Sequence, residues 1–527
     1  MWSPKTEQHE SEQEDSTATL EDIEDTQQVA SPVDEQAIAR ISEARTRLEE
    51  FASSELGDAH LVVVSNREPY VHTDPQDGSK WHTPASGLTT ALDPVMRICG
   101  GTWVAHGSGH GDILVADASG RVQVPPDHPQ FTLRRVWLER AEVAGYYDGF
   151  SNRTLWPLCH QVYVRPRFEE EDWLQYKRVN EKFAQAILAQ VEGKRAIVLV
   201  QDYHLALVPE MIKSARPDVV VSQFWHIPWP NIDVLSTCPW HRQILKGLLG
   251  NDILGFHVRQ YCRNFLGGVD RALEARVLGD KSAIFWNGRT TFVRPYPISI
   301  DPETMIPSEN ATVPELQRHK ISGARVLLGI DRLDYIKGIP EKFRAYDRLL
   351  REHPEHQGRV VLVQLATPTR SRVPEYVKLA HEVEELAREI NERHGDSTWK
   401  PIVLLQRLLD QEELAALYAQ SDVCVVGSLQ DGMNLVAKEF VAARRDQRGV
   451  LVLSRFAGAT KQMIGALPIH PYDREAYAAT LHAAIMMPPE EQEDRMRQLR
   501  ADLSRHTIYS WAENILREAV QVQRKFS

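Results

Sequence analysis

Beyond residue 60 the chain alternates short apolar runs with longer amphipathic stretches. Leu61–Ser65, Ala196–Gln201, Val219–His226, Arg325–Ile330, Val360–Leu365, Pro401–Leu405, Asp422–Val426 and Val450–Ser454 are rich in Val, Ile and Leu. Such near-continuous apolar runs suit strands covered on both faces. Helical spacing fills the intervals at Pro340–Arg351, Pro374–Arg393, Gln411–Gln420 and Gly432–Arg444. Alternation of this kind predicts an α/β protein built on doubly wound parallel sheets. It continues too long for one sheet of ordinary width. The segment Tyr296-Pro297-Ile298-Ser299-Ile300-Asp301-Pro302 breaks it with two prolines. Two domains are therefore expected, 58–300 and 301–508, facing across a cleft at their strand ends.

The first residues follow another pattern. Residues 1–35 hold eleven acids and one base, Lys5, with few apolar positions. That composition predicts a disordered acidic tail. Residues 36–57 then carry an apolar stripe at helical spacing through Ala37, Ile41, Ala44, Leu48 and Phe51, the pattern of a linking helix.

Composition narrows the function class. With 61 Lys+Arg against 73 Asp+Glu, the formal charge is −12. An acidic balance argues against a partner that is nucleic acid or an anionic membrane. No apolar run approaches the length of a membrane span, and the N-terminus leads into acids instead of a signal core. The five cysteines are scattered with no C-x-x-C pair, as expected of reduced thiols in a cytoplasmic protein.

Some motifs carry little. Gly107-Ser108-Gly109-His110-Gly111-Asp112 lacks full dinucleotide spacing and reads as a flexible loop at the cleft. His106 and His110 are four apart, but the intervening glycines oppose a helix that would align them on a metal.

Others carry chemistry. Asp431-Gly432-Met433-Asn434-Leu435-Val436-Ala437-Lys438-Glu439 follows a strand and is expected to open a helix. Gly432 permits close backbone approach, and a helix start offers free N–H groups to phosphate or sugar hydroxyls. Glu439 can accept both hydroxyls of a ribose. Arg332 and Lys337, within Gly329–Gly338, follow another strand and suit a diphosphate. The N-terminal half adds Asn66-Arg67, Tyr146-Tyr147-Asp148-Gly149, Leu155-Trp156-Pro157, Gln201-Asp202-Tyr203-His204 and His226-Ile227-Pro228.

In this order, from about Leu61 to the C-terminus, these motifs resemble the trehalose-6-phosphate synthase family of retaining glycosyltransferases. The nearest stretches are Arg332–Pro340, Asp431–Glu439 and Val450–Ala459. The resemblance implies a GT-B fold of two Rossmann-like domains, the N-terminal one binding acceptor and the C-terminal one binding the nucleotide sugar. A final helix, at 509–527, would cross back onto the first domain. It implies transfer of glucose from a nucleotide sugar, usually UDP-glucose, to glucose 6-phosphate, giving α,α-trehalose 6-phosphate. The mechanism would be front-face substitution with retention, without a metal or other cofactor.

The resemblance also assigns roles. Asp202, His226, Arg332, Lys337 and Asp431 would be catalytic. Ser86, Gly87, His226, Arg332, Lys337, Asp431, Gly432, Met433, Asn434, Leu435 and Glu439 would hold the donor. Arg67, Tyr147, Trp156, Asp202 and Arg370 would hold the acceptor.

Three positions depart from the family pattern. Ala85-Ser86-Gly87 replaces a Gly-Gly loop, His106 falls near an expected tryptophan, and Gln430 replaces a common arginine. The stretch between Glu68 and Ala85 is also longer than expected. Two further readings stay open: a glucosylglycerol-phosphate synthase using glycerol 3-phosphate, and a weakly catalytic regulatory relative. No phosphatase-like domain follows Ser527, so a separate phosphatase is expected downstream. A homo-oligomer is compatible with the sequence.

Overall fold

The computed structural model describes residues 32–74, 80–84, 87–308, 311, 313–314, 323–370 and 372–525. Two parallel sheets form its framework. In the larger, of ten strands, seven parallel ones lie side by side. Their order is Arg289–Pro295, Ile253–Phe256, Val220–Trp225, Ala196–Gln201, His60–Arg67, Thr102–His106 and Phe131–Val136. Antiparallel strands close both edges, Arg121–Val124 on one and Ala283–Trp286 with Arg276–Leu278 on the other. The smaller sheet has six strands, all parallel, in the order Ile402–Leu405, Val360–Thr367, Arg325–Arg332, Val423–Val426, Val450–Ser454 and Leu467–Ile469.

Burial explains the apolar runs. All six residues of Ala196–Gln201 and all five of Val450–Ser454 are buried, because helices cover both faces. Strand order then fixes where ligands go. Each sheet reverses direction once, between His60–Arg67 and Ala196–Gln201 in the first and between Arg325–Arg332 and Val423–Val426 in the second. Crevices open at such reversal points, outside the carboxyl ends of the strands. The carboxyl ends of these four strands and the loops just beyond carry Arg67, Asp202, Arg332 and Asp431.

Helices join the two halves. The first spans Pro32–Phe51, so it starts four residues before the expected position, with proline at a helix start where no N–H is needed. Its apolar stripe is buried as the spacing predicts: Ala37, Ile41, Ala44, Leu48 and Phe51 all face the core. The acidic tail up to residue 31 lies outside the described residues. The last helix, Ile508–Gln523, packs on the strand Val220–Trp225, on the helix Gly87–Cys99 and on the first helix. Thr507 caps it, its hydroxyl accepting from the Ser510 amide.

One loop corrects the sequence reading. Gly107–Asp112 does not line the cleft and is not loose. Glu68 accepts from both the amide and the hydroxyl of Ser108, Asp112 from the Gly109 amide, and His72 O from the Gly111 amide. Beneath it the fully buried Arg135 guanidinium bridges Glu68 at 2.8 Å and Asp112 at 2.9 Å. A buried ion network of this kind holds the loop and the strand pair Val71–His72 and Trp81–His82 in one arrangement.

Candidate active site

Both reversal points open into one cleft with a volume of about 370 Å3. Every residue expected to bind or catalyse lines it except Ser86, which lies outside the described residues. From the first sheet come Arg67, Gly87, Tyr147, Trp156, Asp202 and His226. From the second come Arg332, Lys337, Arg370, Asp431, Gly432, Met433, Asn434, Leu435 and Glu439.

The second sheet contributes most of the positive charge. The Lys337 ammonium donates to Asp431 Oδ2 at 2.6 Å, with both side chains largely buried. Asn434 Nδ2 donates to the same oxygen at 3.0 Å. Burial alone would raise the Asp431 carboxyl, but Lys337 and these hydrogen bonds hold it down at about 2. Asp431 is an anion across the physiological range. Gly338 follows Lys337 with φ +65, and a Cβ there would lie 2.4 Å from Gly427 O, so only glycine fits this turn.

The segment after Asp431 differs from expectation. The helix begins at Val436 and ends at Ala443, so Gly432–Leu435 is not helical. Asp431 instead forms a lone parallel bridge to Ala457, and its amide donates to Phe456 O. Asn434 takes φ +82, and its side chain accepts from the Ala437 amide. Tertiary contact, not helix, sets the backbone here. A Cβ on Gly432 would sit 2.3 Å from His226 O, so this glycine lets the two halves touch across the cleft. Glu439 lies within the helix and accepts from the Tyr418 hydroxyl at 2.6 Å. Burial raises its carboxyl above the usual range.

The first sheet supplies His226 and Asp202. His226 Nε2 lies 2.8 Å from Gln201 Oε1. Burial holds its imidazole neutral, and a hydrogen on Nε2 leaves the Nδ1 lone pair free. Asp202 has φ +71, an unusual conformation for a residue with a side chain, and its Oδ1 accepts from the His226 amide at 3.2 Å. Burial lifts the Asp202 carboxyl to about 7.

Between the halves stands an aromatic and guanidinium cluster. The Arg370 guanidinium stacks 4.1 Å over the Trp156 ring, and that of Arg332 lies 5.4 Å from it. Asp334, fully buried, accepts from Arg370 at 3.1 Å, lies 3.5 Å from Arg332 and caps the turn Tyr335–Lys337. Arg370 Nε is buried with no hydrogen-bond partner among the described residues. Tyr147 stacks on His204 at 5.7 Å between ring centroids. Burial would raise the Tyr147 phenol, but Arg370 and Arg67 outweigh it and bring the group down to about 8.

Sequence reasoning missed several residues that line or support the cleft. Asp334 sits inside the Gly329–Gly338 motif, yet its role in holding both Arg332 and Arg370 depends on a residue distant in sequence. His257 reaches the cleft wall by bonding His226 O at 2.9 Å, and His160 by bonding Trp156 O at 2.8 Å. Nothing in their local sequence marks them.

The cleft thus gathers Arg67, Arg332, Lys337 and Arg370 around a space with the carboxyl groups of Asp202, Asp331, Asp431 and Glu439, the neutral His226 and an aromatic wall. Such a set suits a ligand that brings several phosphate charges together with sugar hydroxyls. Comparison with known proteins agrees. Residues 59–521 match the model of glycosyltransferase family 20. The chain belongs to this family. A trehalose-6-phosphate synthase from Mycolicibacterium gilvum is 39% identical over 472 residues, which cover 87% of this chain and 93% of that one. A solved alpha,alpha-trehalose-phosphate synthase (UDP-forming) from Burkholderia xenovorans, in complex with glucose-6-phosphate, superposes with TM-score 0.78 and 31% identity, covering 87% of this chain and 100% of that one. An E. coli structure bound with UDP-2-fluoro glucose superposes with TM-score 0.79 and 30% identity, covering 88% and 99%. The family is one of glycosyltransferases, and the two facing parallel sheets are its GT-B architecture. Among the described residues no helix is long and apolar enough to cross a membrane.

Proposed function

We propose that this family 20 glycosyltransferase moves glucose from UDP-glucose to glucose 6-phosphate with retention, releasing UDP and α,α-trehalose 6-phosphate. The observation that carries the reading is the convergence of four cations from both sheets on one cleft, beside a neutral histidine. Relatives named for this reaction, and neighbours solved with glucose-6-phosphate or a UDP-sugar analogue, support it.

Arg332 and Lys337 take the donor diphosphate. As the bond between anomeric carbon and phosphate oxygen breaks, negative charge grows on that oxygen, and these preorganised cations stabilise it. Glu439 takes the ribose hydroxyls in place of its Tyr418 contact. Asp431 and the non-helical backbone of Gly432–Leu435 hold the donor glucose, with Gly87 facing Leu435 at the cleft wall. His226, neutral, contacts the sugar near the reacting carbon. Arg67 and Arg370 grip the acceptor phosphate, and Trp156 and Tyr147 form the wall behind it. Asp202 orients the attacking hydroxyl, which enters from the face the diphosphate leaves. The departing phosphate oxygen then takes its proton. Ser86 completes the donor side in this reading.

The aromatic wall favours a hexose phosphate over glycerol 3-phosphate. The reading places the reaction in the cytoplasm, among phosphorylated metabolites, and leaves dephosphorylation of the product to a separate phosphatase. The test is a comparison of kcat/KM for glucose 6-phosphate, glycerol 3-phosphate and free glucose with UDP-glucose as donor. Strong preference for glucose 6-phosphate is expected. Preference for glycerol 3-phosphate would overturn the acceptor assignment.

A further inference from the structure

Far from the cleft, three potential metal ligands meet on the second half of the molecule. His353 ends the helix Ile339–Glu352, Glu355 lies in the turn Pro354–His356, and His482 lies in the helix Arg474–Met486. A ligating atom from each falls within 4.8 Å of the other two. We propose that His353, Glu355 and His482 bind a divalent transition cation of the zinc type, which ties these two packed helices together.

Four observations support a built site. First, the backbone of the turn is fixed: His356 N donates to His353 O, Gln357 N to Pro354 O and Arg359 N to His356 O, each at 3.1 Å. Second, the His353 and His482 rings lie in contact, 3.7 Å between centroids with 13° between planes, so the two side chains already meet, and a turn of the partly exposed His353 ring brings its in-plane lone pair toward the cation that His482 faces. Third, His356, buried at 4% exposure, places Nε2 2.9 Å from His482 Nδ1. Histidine ligands commonly have their second nitrogen held by an outer partner, and this contact leaves His482 Nε2 as the nitrogen for a cation. Fourth, Glu355 Oε1 already lies 3.1 Å from His353 Nδ1.

The donor set selects the metal class. Two imidazoles and one carboxylate suit zinc and its neighbours, whereas magnesium and calcium prefer oxygen alone. Tetrahedral zinc at ~2.1 Å from each ligand needs ligand atoms about 3.4 Å apart. Closing from 4.8 Å asks only for side-chain rotation, since His353 and Glu355 are 31% and 55% exposed. Water fills the fourth position. The helix Ile339–Glu352 starts just after Lys337, so the site lies about 20 Å from the donor cations along its axis. The cation is therefore structural, and turnover is not expected to require it.

The test uses the untagged full-length protein, stripped of metal with a chelator. Zinc uptake is followed by calorimetry and by elemental analysis, and the melting temperature is recorded with and without zinc. One equivalent of tightly bound zinc is expected, with a rise in Tm of a few degrees. His353→Ala and His482→Ala should each weaken binding at least 100-fold and abolish the Tm rise. His356→Gln, which alters only the positioning contact, should weaken it about 10- to 100-fold. Unchanged turnover without metal certifies that each variant is folded. Cobalt in place of zinc should give the intense visible absorption of a four-coordinate ion. Absence of zinc uptake by the parent protein, or equal uptake by His353→Ala and His482→Ala, would overturn the proposal.

Discussion

Replacing Lys337 with methionine removes one charge while keeping most of the side-chain volume. In the free enzyme the ammonium sits 2.6 Å from Asp431 Oδ2, with 14% and 13% exposure for the two side chains. Two consequences follow, and they separate experimentally. At an effective dielectric constant near 20, a cation about 4 Å from a phosphate oxygen contributes about 4 kcal/mol. Only the part that grows as the diphosphate departs lowers the barrier. Single preorganised donors to a developing anion are worth about 3–4 kcal/mol, so kcat should fall roughly 100- to 1,000-fold, with Arg332 preserving the remainder. The second consequence concerns stability. Asp431 is left buried without its cation, and breaking such a pair costs about 3–5 kcal/mol when the remaining charge stays in place. Melting temperature should therefore drop, and Lys337→Arg should recover stability better than turnover, because guanidinium geometry differs from that of ammonium. Release of UDP at saturating donor and acceptor measures kcat, and thermal melting measures the rest. A folded Lys337→Met enzyme with kcat within threefold of the parent would refute the leaving-group role.

Other perturbations probe separate parts of the cleft. Gly432→Ala places a Cβ 2.3 Å from His226 O, so the halves must shift; kcat/KM should fall at least 100-fold, and an active variant would show that this approach is not needed. Asp202 has a folded value near 7 against an ordinary 3.8, so the folded state holds its proton more tightly. Stability from this group is full below about pH 4 and is lost as pH rises through about 7. Asp202→Asn should thus gain on the parent in Tm between those values and keep a constant lead above; a pH-independent difference would contradict the shift. Trp156→Ala removes the ring under Arg370, a contact worth about 0.5–2 kcal/mol. KM for glucose 6-phosphate should rise about 3- to 30-fold with little change in KM for the donor, and an effect confined to the donor would reverse the assignment. Glu439→Gln should mainly raise donor KM, because ribose contacts are shared by ground and transition states.

The fold was legible because buried parallel strands leave a plain mark. Ala196–Gln201 and Val450–Ser454 were read to the residue, since every position in them is apolar or capped by a short polar end. The start of the helix after Asp431 was not. The apolar spacing reads as helix from Gly432, whereas the bridge to Ala457, the approach of His226 and the positive φ of Asn434 keep the chain out of a helix until Val436. Glycines also misled at Gly107–Asp112, where buried carboxylates of Glu68 and Asp112 fix a loop that composition alone makes flexible. In the cleft, residues in contiguous motifs were readable. Those whose task is to hold another residue, such as Asp334 and His257, were not, because their partners come from distant segments.

The most direct measurement is the structure of the product. The full-length protein, incubated with UDP-glucose and glucose 6-phosphate, should release UDP and one disaccharide phosphate in equal amounts. Proton NMR should show both anomeric protons in the α configuration, the mark of retention at the transferred glucose. Free glucose with UDP and no disaccharide, or a β-linked product, would contradict the account.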